Sequence, residues 1–134
     1  MNQTIKIFLF FLISMSVCSQ NDVKLRFDGI YQTEQLNGSR TFLRFYERGT
    51  VLYVTSSGEI KDLIKWFHMD EHSRSTDVRG VFQLSNNNIE LTLNSIEGKV
   101  VYKGSSENGL NIVFNTKSFI NGNESDKEFN FVEF

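Results

Sequence analysis

The chain contains no proline, a single cysteine (Cys18) and only two histidines among its 134 residues. The lack of proline excludes cis-proline turns and polyproline segments. A lone cysteine cannot form an internal disulfide, so a stable fold must depend on a hydrophobic core. The formal net charge of −2 at pH 7 provides no basic excess to neutralise phosphates, which argues against a nucleic-acid partner.

The N-terminal region carries an apolar run from Ile5 to Val17 that only Lys6, Ser14 and Ser16 interrupt. A positive start, an apolar stretch and then small residues are typical of a secretion signal. The run is shorter than the ~20 residues that a membrane-spanning helix needs. It also has no polar face, as a helix packed on a small domain would require. Residues 1–19 are therefore predicted to be a signal peptide, and the protein is expected to be exported.

Two ways of processing this signal remain open. Cleavage after Ser19 or Gln20 would release a periplasmic or secreted protein. Alternatively, Met15–Cys18 resembles a lipobox in part, with Val17 bulkier than the residue usually found before the cysteine. Cys18 would then carry a lipid and make the protein a membrane-anchored lipoprotein. In both cases contact with a membrane is expected only during export or through that anchor.

Residues 20–134 contain no repeat, linker or low-complexity tract and are predicted to form one β-rich domain. Short segments of alternating apolar and polar residues are separated by Gly and Asn turns, which is typical of half-buried strands joined by hairpins. Asn37-Gly38 and Asn108-Gly109 are the strongest hairpin signals because both residue types tolerate positive φ. The first strand is predicted to run from Ile30 to Leu36.

A helical spacing interrupts the β pattern after the third predicted strand. Ser56 and Glu59 match a capping box, which predicts a helix from about Ser57 to His68 or Met69. Its apolar residues lie at positions i, i+3, i+4 and i+7, namely Ile60, Leu63, Ile64 and Phe67.

The pattern as a whole predicts an all-β fold of about eight antiparallel strands with one short helix after strand 3. Eight such strands leave two open edges unless the first strand pairs with the last, so an up-and-down barrel is favoured. A two-sheet β-sandwich is the alternative.

The segments Gly29-Ile30-Tyr31 and Phe42–Val51, set in a meander of this length, resemble the lipocalin-like (calycin) β-barrels, and in particular small exported bacterial proteins of unassigned function. The chain has Ile30-Tyr31 where lipocalins usually have a Gly-x-Trp motif, and its helix follows strand 3 rather than lying near the C-terminus. The resemblance implies an interior pocket for a small apolar ligand.

The barrel interior is the expected ligand site, since an eight-stranded barrel is either filled by side chains or holds one small ligand. The side chains expected to face inward are Tyr31, Phe45, Leu52, Phe82, Leu91, Tyr102, Phe114, Phe129 and Phe131. Trp66, next to the apolar helix face, is expected to cover the barrel mouth. The predicted ligand-binding set is Tyr31, Phe45, Trp66, Phe82, Tyr102, Phe114 and Phe131.

The segment His68–His72 fits the inverted H-x-x-E-H pattern, in which His68 and His72 would ligate zinc and Glu71 would act as a base. It lies where the helix should end, and the chain has no further histidine to complete a site. A polar helix exit and loop is the favoured interpretation of the segment, so no metal or other cofactor is predicted.

Three functions follow from these observations. The first is an exported cell-envelope binding module that holds a small apolar ligand. The second is a protein-interaction or inhibitor domain with a filled core and an unknown partner. The third is a small metal-dependent enzyme around His68 and His72. No Gly-x-Ser-x-Gly elbow or other nucleophile arrangement is present, which favours binding over catalysis.

Overall fold

The computed structural model describes residues 24–68 and 78–134. The described residues form eight strands and one short helix, in the order β1 (Gly29–Gln32), β2 (Arg40–Phe45), β3 (Thr50–Ser56), α1 (Ile60–Leu63), β4 (Val78–Ser85), β5 (Asn88–Ser95), β6 (Gly98–Ser105), β7 (Asn111–Ser118) and β8 (Glu124–Glu133). Each strand pairs antiparallel with the next, and β1 also pairs with β8 to close the barrel. The up-and-down barrel with a helix after strand 3 is confirmed, and the sandwich alternative is wrong.

Tight turns set the register of the hairpins. Asn37 and Gly38 have φ values of 52° and 80°, and Asn86 has a φ of 53°, so the predicted Asn and Gly turns adopt the left-handed conformations that these residues tolerate. Gly109 follows the same rule, with a φ of 74°. The Asn and Gly turns predicted from the sequence are therefore the turns that connect the strands.

The barrel has two ends. The lower end carries the segment 24–28, the C-terminus and the turns β2–β3, β4–β5 and β6–β7. The upper end carries the loop 33–39 between β1 and β2, the connection from β3 to β4 that includes α1, and the turns β5–β6 and β7–β8.

The barrel interior contains the larger of two hydrophobic clusters. Alternate residues of all eight strands point inward, as the period of a β-strand requires. The buried members are Tyr31, Leu43, Phe45, Val51, Phe82, Ile89, Leu91, Leu93, Tyr102, Ile112, Phe114 and Phe129.

A second cluster lies on the outside of the barrel, on β1, β2 and β3, where the other face of these strands is also buried. Its buried members are Ile30, Phe42, Leu52, Val54, Leu63 and Phe67. Leu52 was predicted to face inward, but it pairs with the outward-facing Arg44 and packs beneath the helix region. The error arises because a strand buried on both faces gives no alternation by which to assign its sides.

The helix is shorter than the spacing predicts. It spans Ile60–Leu63, with Glu59 as N-cap and no side-chain cap hydrogen bond. The predicted capping box is wrong, because the Ser56 hydroxyl instead accepts a hydrogen bond of 3.0 Å from the Gly58 amide. The segment continues in turns to Phe67, whose carbonyl accepts a hydrogen bond of 2.7 Å from the Arg44 guanidinium. Packing on the barrel wall therefore holds this region, rather than helix capping.

The first strand also ends earlier than predicted, at Gln32 instead of Leu36. Leu36 takes part only in an isolated bridge to Ser39 at the tip of the β1–β2 loop. None of the helices in the described part of the chain has the length and apolar character to cross a membrane.

Candidate functional site

The centre of the barrel interior is occupied by aromatic rings. Phe45 makes edge-to-face contacts with Tyr31 and Phe82, at centroid distances of 5.6 and 5.0 Å. Phe114 makes the same kind of contact with Tyr102 and Phe129, at 5.6 and 5.8 Å. Such contacts are the preferred geometry of packed aromatic pairs. The aromatic rings that were predicted to bind a ligand therefore pack against one another.

The lower end is closed by the protein's own chain. Leu25 and Phe27, from the segment before β1, pack against the interior cluster. The Tyr31 hydroxyl donates a hydrogen bond of 2.8 Å to the Gly109 carbonyl and accepts one of 2.9 Å from the Arg26 amide. Burial raises the pKa of Tyr31. The segment 24–28 and the hydrogen bonds of Tyr31 therefore cover the interior cluster at this end.

The upper end is lined by hydroxyl groups and one lysine. Tyr102 is buried there, and burial, together with the neighbouring Tyr53 hydroxyl, strongly raises the pKa of Tyr102. The Lys127 ammonium lies 5.8 Å from the Tyr102 ring centroid. Thr116 donates a hydrogen bond of 3.0 Å to the Ser125 carbonyl. On β7 and β8, polar side chains thus replace the apolar ones on the inward face toward this end, whereas Leu93 on β5 and Val100 on β6 keep it apolar.

A surface cleft of about 460 Å³ opens at the upper end, between β8 and the β1–β2 loop. We call it the β8 cleft. Its walls are Thr33, Glu34, Gln35, Leu36, Ser39, Thr41, Thr55, Lys127, Glu128 and Asn130. The cleft therefore combines hydroxyl groups, one cation, two carboxylates and Leu36, whose side chain is 75% exposed.

The cleft exists because neighbouring strands differ in length. The pairing of β1 with β8 ends at Gln32 and Asn130, whereas β8 begins six residues earlier, at Glu124. On the other side, β2 and β3 stay paired up to Arg40 and Ser56. Beyond Gln32, β1 therefore no longer fills the space between β8 and β2, and this gap in the barrel wall is the cleft.

A shallower depression of about 420 Å³ lies on the outer side of the same loop, between Arg40 and the start of α1. Arg40 donates a long hydrogen bond of 3.5 Å to the Gln32 side chain. Glu59 and Lys61, which also line this depression, form an ion pair of 3.0 Å with each other. Within the described residues, the buried Arg40 Nε has no hydrogen-bond partner. This depression is nevertheless the weaker candidate site, because it is smaller than the β8 cleft and its one carboxylate, Glu59, is already paired with Lys61.

The residues predicted to bind a ligand separate into two groups. Tyr31, Phe45, Phe82, Tyr102, Phe114 and Phe131 all belong to the interior cluster or pack against it. Trp66 instead packs against the outer cluster, with its ring 6.0 Å from that of Phe67. Trp66 is therefore part of the outer packing and is not placed with the other predicted residues.

The remaining predicted features fall largely on residues that are not described. The signal peptide 1–19, Cys18 and His72 lie outside the described residues, whereas His68 lies at the edge of the outer helix region. In the ranges 24–68 and 78–134, no group of three or more metal-ligating side chains is present. The metal hypothesis needs His72 and therefore stays a prediction.

The polar lining of the upper end was not predicted from the sequence. Thr41 and Thr55 share the inward face with Leu43 and Tyr53, one step further along β2 and β3. Their hydroxyls lie 3.1 Å apart across the strand pair. The available signal was the change from apolar to hydroxyl side chains within one alternating series, which marks where an inward face meets water.

The chain was compared with known proteins in three ways. A scan against protein-family models, a search of curated proteins and a search of solved structures each found no match. The features of the barrel that bear on function are its filled interior, its closed lower end and the open β8 cleft.

Proposed function

We propose that this chain is an exported binding module of the lipocalin-like kind whose own side chains fill the barrel, and which recognises a partner protein through its surface. The supporting observation is the two sets of edge-to-face ring contacts in the barrel interior, one around Phe45 and one around Phe114. A small apolar ligand would have to displace these rings, at the cost of close-packed contacts. Of the two binding hypotheses, this arrangement favours the one with a filled core.

The proposed export rests on the apolar run Ile5–Val17 and leaves both processing routes in place. A soluble periplasmic or secreted form and a form anchored through Cys18 would present the same barrel. The lipocalin-like assignment rests on the barrel topology together with Gly29-Ile30-Tyr31 at the start of β1.

The test compares apolar-ligand binding with partner binding. The protein purified from its own host is examined by native mass spectrometry and, in parallel, by organic extraction and titration with a fluorescent fatty acid. We expect no stoichiometric apolar molecule in the extract and no saturable binding of the fatty acid, together with a protein complex in the native spectrum. A fatty acid bound one to one would overturn the proposal, particularly if Phe114→Trp abolished that binding by filling remaining interior space.

A second candidate is a small polar or anionic ligand held in the β8 cleft. The observation in its favour is the convergence of Lys127 with the hydroxyls of Thr33, Thr41 and Thr55 on one concavity. A few convergent polar groups in a concave site are typical of small-molecule sites. Native mass spectra would then show a small adduct that Lys127→Met removes and that Lys117→Met, on the outer face, leaves in place.

A further inference from the structure

In the part of the chain that the structure describes, the upper half of β8 has one edge without a partner strand. From Glu124 to Phe129, β8 pairs with β7 on one side, and among the described residues no strand pairs with its other side. Barrels normally remove such edges by closing completely. Here closure stops at Gln32 and Asn130, because β1 has only four residues.

The backbone groups of this edge point toward the side that the β8 cleft occupies next to Glu128 and Asn130. The Phe131 amide bonds the Leu110 carbonyl, on the β7 side, whereas the Phe134 amide bonds the Asp28 carbonyl, on the β1 side. Because donors alternate along a strand, odd-numbered residues of β8 face β7 and even-numbered ones face away from it. The amides and carbonyls of Asp126 and Glu128 therefore face the side that β1 leaves open.

The opposite wall of the cleft does not satisfy these groups. Thr33 keeps the β1–β2 register, in which its amide donates a hydrogen bond of 3.0 Å to the Thr41 carbonyl, so its backbone faces β2 rather than β8. Among the described residues, Glu34, the next residue whose backbone would face β8, makes no backbone hydrogen bond to that strand. Leu36 likewise bonds Ser39 within the loop. Within the described part of the chain, the loop 33–39 makes no backbone hydrogen bond to β8. The cleft thus has the two features that strand addition requires, a free edge and space beside it.

The charges along the edge indicate what kind of segment would fit. Glu124, Asp126 and Glu128 follow one another on the outward face of β8, and Glu34 lies across the cleft from Glu128. Lys117 lies 3.8 Å from Glu124, which leaves the carboxylates near the cleft, at Asp126, Glu128 and Glu34, as the acidic excess. An incoming strand would place alternate side chains opposite these carboxylates, where opposite charges stabilise pairing and like charges oppose it.

The same charges argue against a second copy of this chain as the occupant. Two β8 edges paired about a twofold axis would bring Asp126 and Glu128 of each copy against the same acidic residues of the other. Like charges placed directly opposite each other destabilise a strand pair. On the inward face, the cleft presents threonine hydroxyls and Lys127, which suit short polar side chains.

We propose that the β8 cleft binds an extended segment of a partner protein by strand addition to Glu124–Phe129, and that this segment carries Lys or Arg at alternate positions with short polar residues between them. This inference rests on the proposed function, which it refines by naming the surface and the chemistry of the partner.

The first test uses a peptide probe, acetyl-Lys-Thr-Lys-Thr-Lys-Thr-amide, added to the ¹⁵N-labelled protein. We expect saturable shifts of the Asp126 and Glu128 amide signals, together with slower hydrogen exchange at both amides, since each gains a hydrogen bond. The matched peptide with Glu in place of Lys should cause neither change. Equal shifts with both peptides, or shifts without slower exchange, would contradict strand addition.

The second test removes one backbone donor. Asp126→Pro deletes an amide that faces the open side of β8, at an edge position that tolerates proline. Asp126→Ala is the matched control because it removes the same carboxylate and its hydrogen bond from Asn115 but keeps the amide. We expect Asp126→Pro to abolish the binding that Asp126→Ala only weakens, with both variants retaining the β circular dichroism spectrum. If both variants bind alike, the edge is not the site.

The third test reverses charge. Asp126→Lys combined with Glu128→Lys should weaken binding of the basic peptide about tenfold or more, since each pair changes from attraction to repulsion. Glu97→Lys combined with Glu107→Lys gives the same change in net charge in two exposed turns and should leave binding within about twofold. Equal losses in the two double variants would reduce the effect to net charge and overturn the proposal.

Failure here can be distinguished from failure of the proposed function. If the native partner complex survives Asp126→Pro and the charge reversal, the protein-interaction function stands and strand addition at β8 is wrong. If a stoichiometric apolar ligand is found, the proposed function itself is wrong.

Discussion

The two ends of this barrel are built from the same eight strands, yet one is sealed and the other is open. At the lower end, the segment 24–28 covers the opening, and Tyr31 bonds both that segment and Gly109. At the upper end, inward-facing positions carry hydroxyl groups and Lys127, and β8 extends beyond the strand that should flank it. A barrel can therefore hold a packed interior and an exposed edge at once, provided that they lie at opposite ends.

The two ends of the barrel have different roles, one in stability and the other in binding. The lower end and the aromatic interior provide the stability, because apolar burial is the main favourable contribution to folding. The upper end buries less and leaves backbone groups unpaired, as expected of a region kept for binding. Substitutions of buried residues should therefore lower the free energy of unfolding more at the lower end and in the interior than at the upper end.

The largest expected effect is at Ile112, which is fully buried on β7 near the lower end. Ile112→Ala should lower the free energy of unfolding by about 2–5 kcal/mol, from lost burial and the cavity that remains. Thr55→Ala, at the upper end of β3, should cost no more than about 1 kcal/mol. Urea unfolding of both variants measures the difference, and equal losses would remove the distinction between the ends.

The next largest effect is expected at Tyr31, whose hydroxyl helps to close the lower end. Tyr31→Phe keeps the ring in place but removes the hydroxyl that bonds Gly109 and Arg26. Leaving these backbone groups without a partner should cost about 1–3 kcal/mol. The same change at Tyr53, which is only partly buried, serves as the control. A neutral Tyr31→Phe would mean that water replaces the hydroxyl and that the lower end is not tightly closed.

A third effect is the dependence of stability on alkaline pH. Burial raises the pKa of Tyr31, and burial together with Tyr53 raises the pKa of Tyr102. Because the unfolded chain loses these protons first, stability is complete below about pH 10 and falls as the pH rises above it. Each tyrosine that stays protonated in the folded protein at pH 11 should lower the free energy of unfolding by about 1.4 kcal/mol relative to its value below pH 10. Urea unfolding from pH 8 to 11 should show a weaker slope in Tyr102→Phe, and an unchanged slope would contradict the assignment.

The smallest effect is expected at Lys127, in the wall of the β8 cleft. Lys127→Met keeps the apolar stem and removes the charge, so stability should change by no more than about 0.5 kcal/mol in either direction. Thermal unfolding would measure this. A loss as large as that of Tyr31→Phe would assign Lys127 to the structural part of the barrel rather than to its open end.

The sequence predicted the barrel because each of its main features is local. Alternating segments and Asn-Gly turns give strand number and direction, and closure follows from the need to remove two sheet edges. Leu52 and Trp66 were harder to place because β3 is apolar on both faces, and only the packing of Leu63 and Phe67 shows which face the helix region covers.

The β8 cleft could not be predicted, since it depends on where one strand stops relative to another. Thr33, Glu34 and Gln35 are compatible with a continuing strand, and Leu36 supports it. Pairing with β8 ends at Gln32 even though Thr33 still bonds β2, because the chain then bends into the turn closed by Leu36 and Ser39. A difference in length between strands that lie about 100 residues apart leaves no signal within either one.

The four-residue β1 has a further consequence for how the molecule folds. All other neighbouring strands are joined by hairpins or by the α1 connection, but β1 and β8 meet only when the two ends of the domain come together. Contacts between distant parts of the chain are slow to form because loop closure costs entropy before any pairing compensates for it. The barrel should therefore close last and through its shortest strand. Until then, the whole of β8 is an open edge, and newly made chains are most exposed to wrong pairing at that stage.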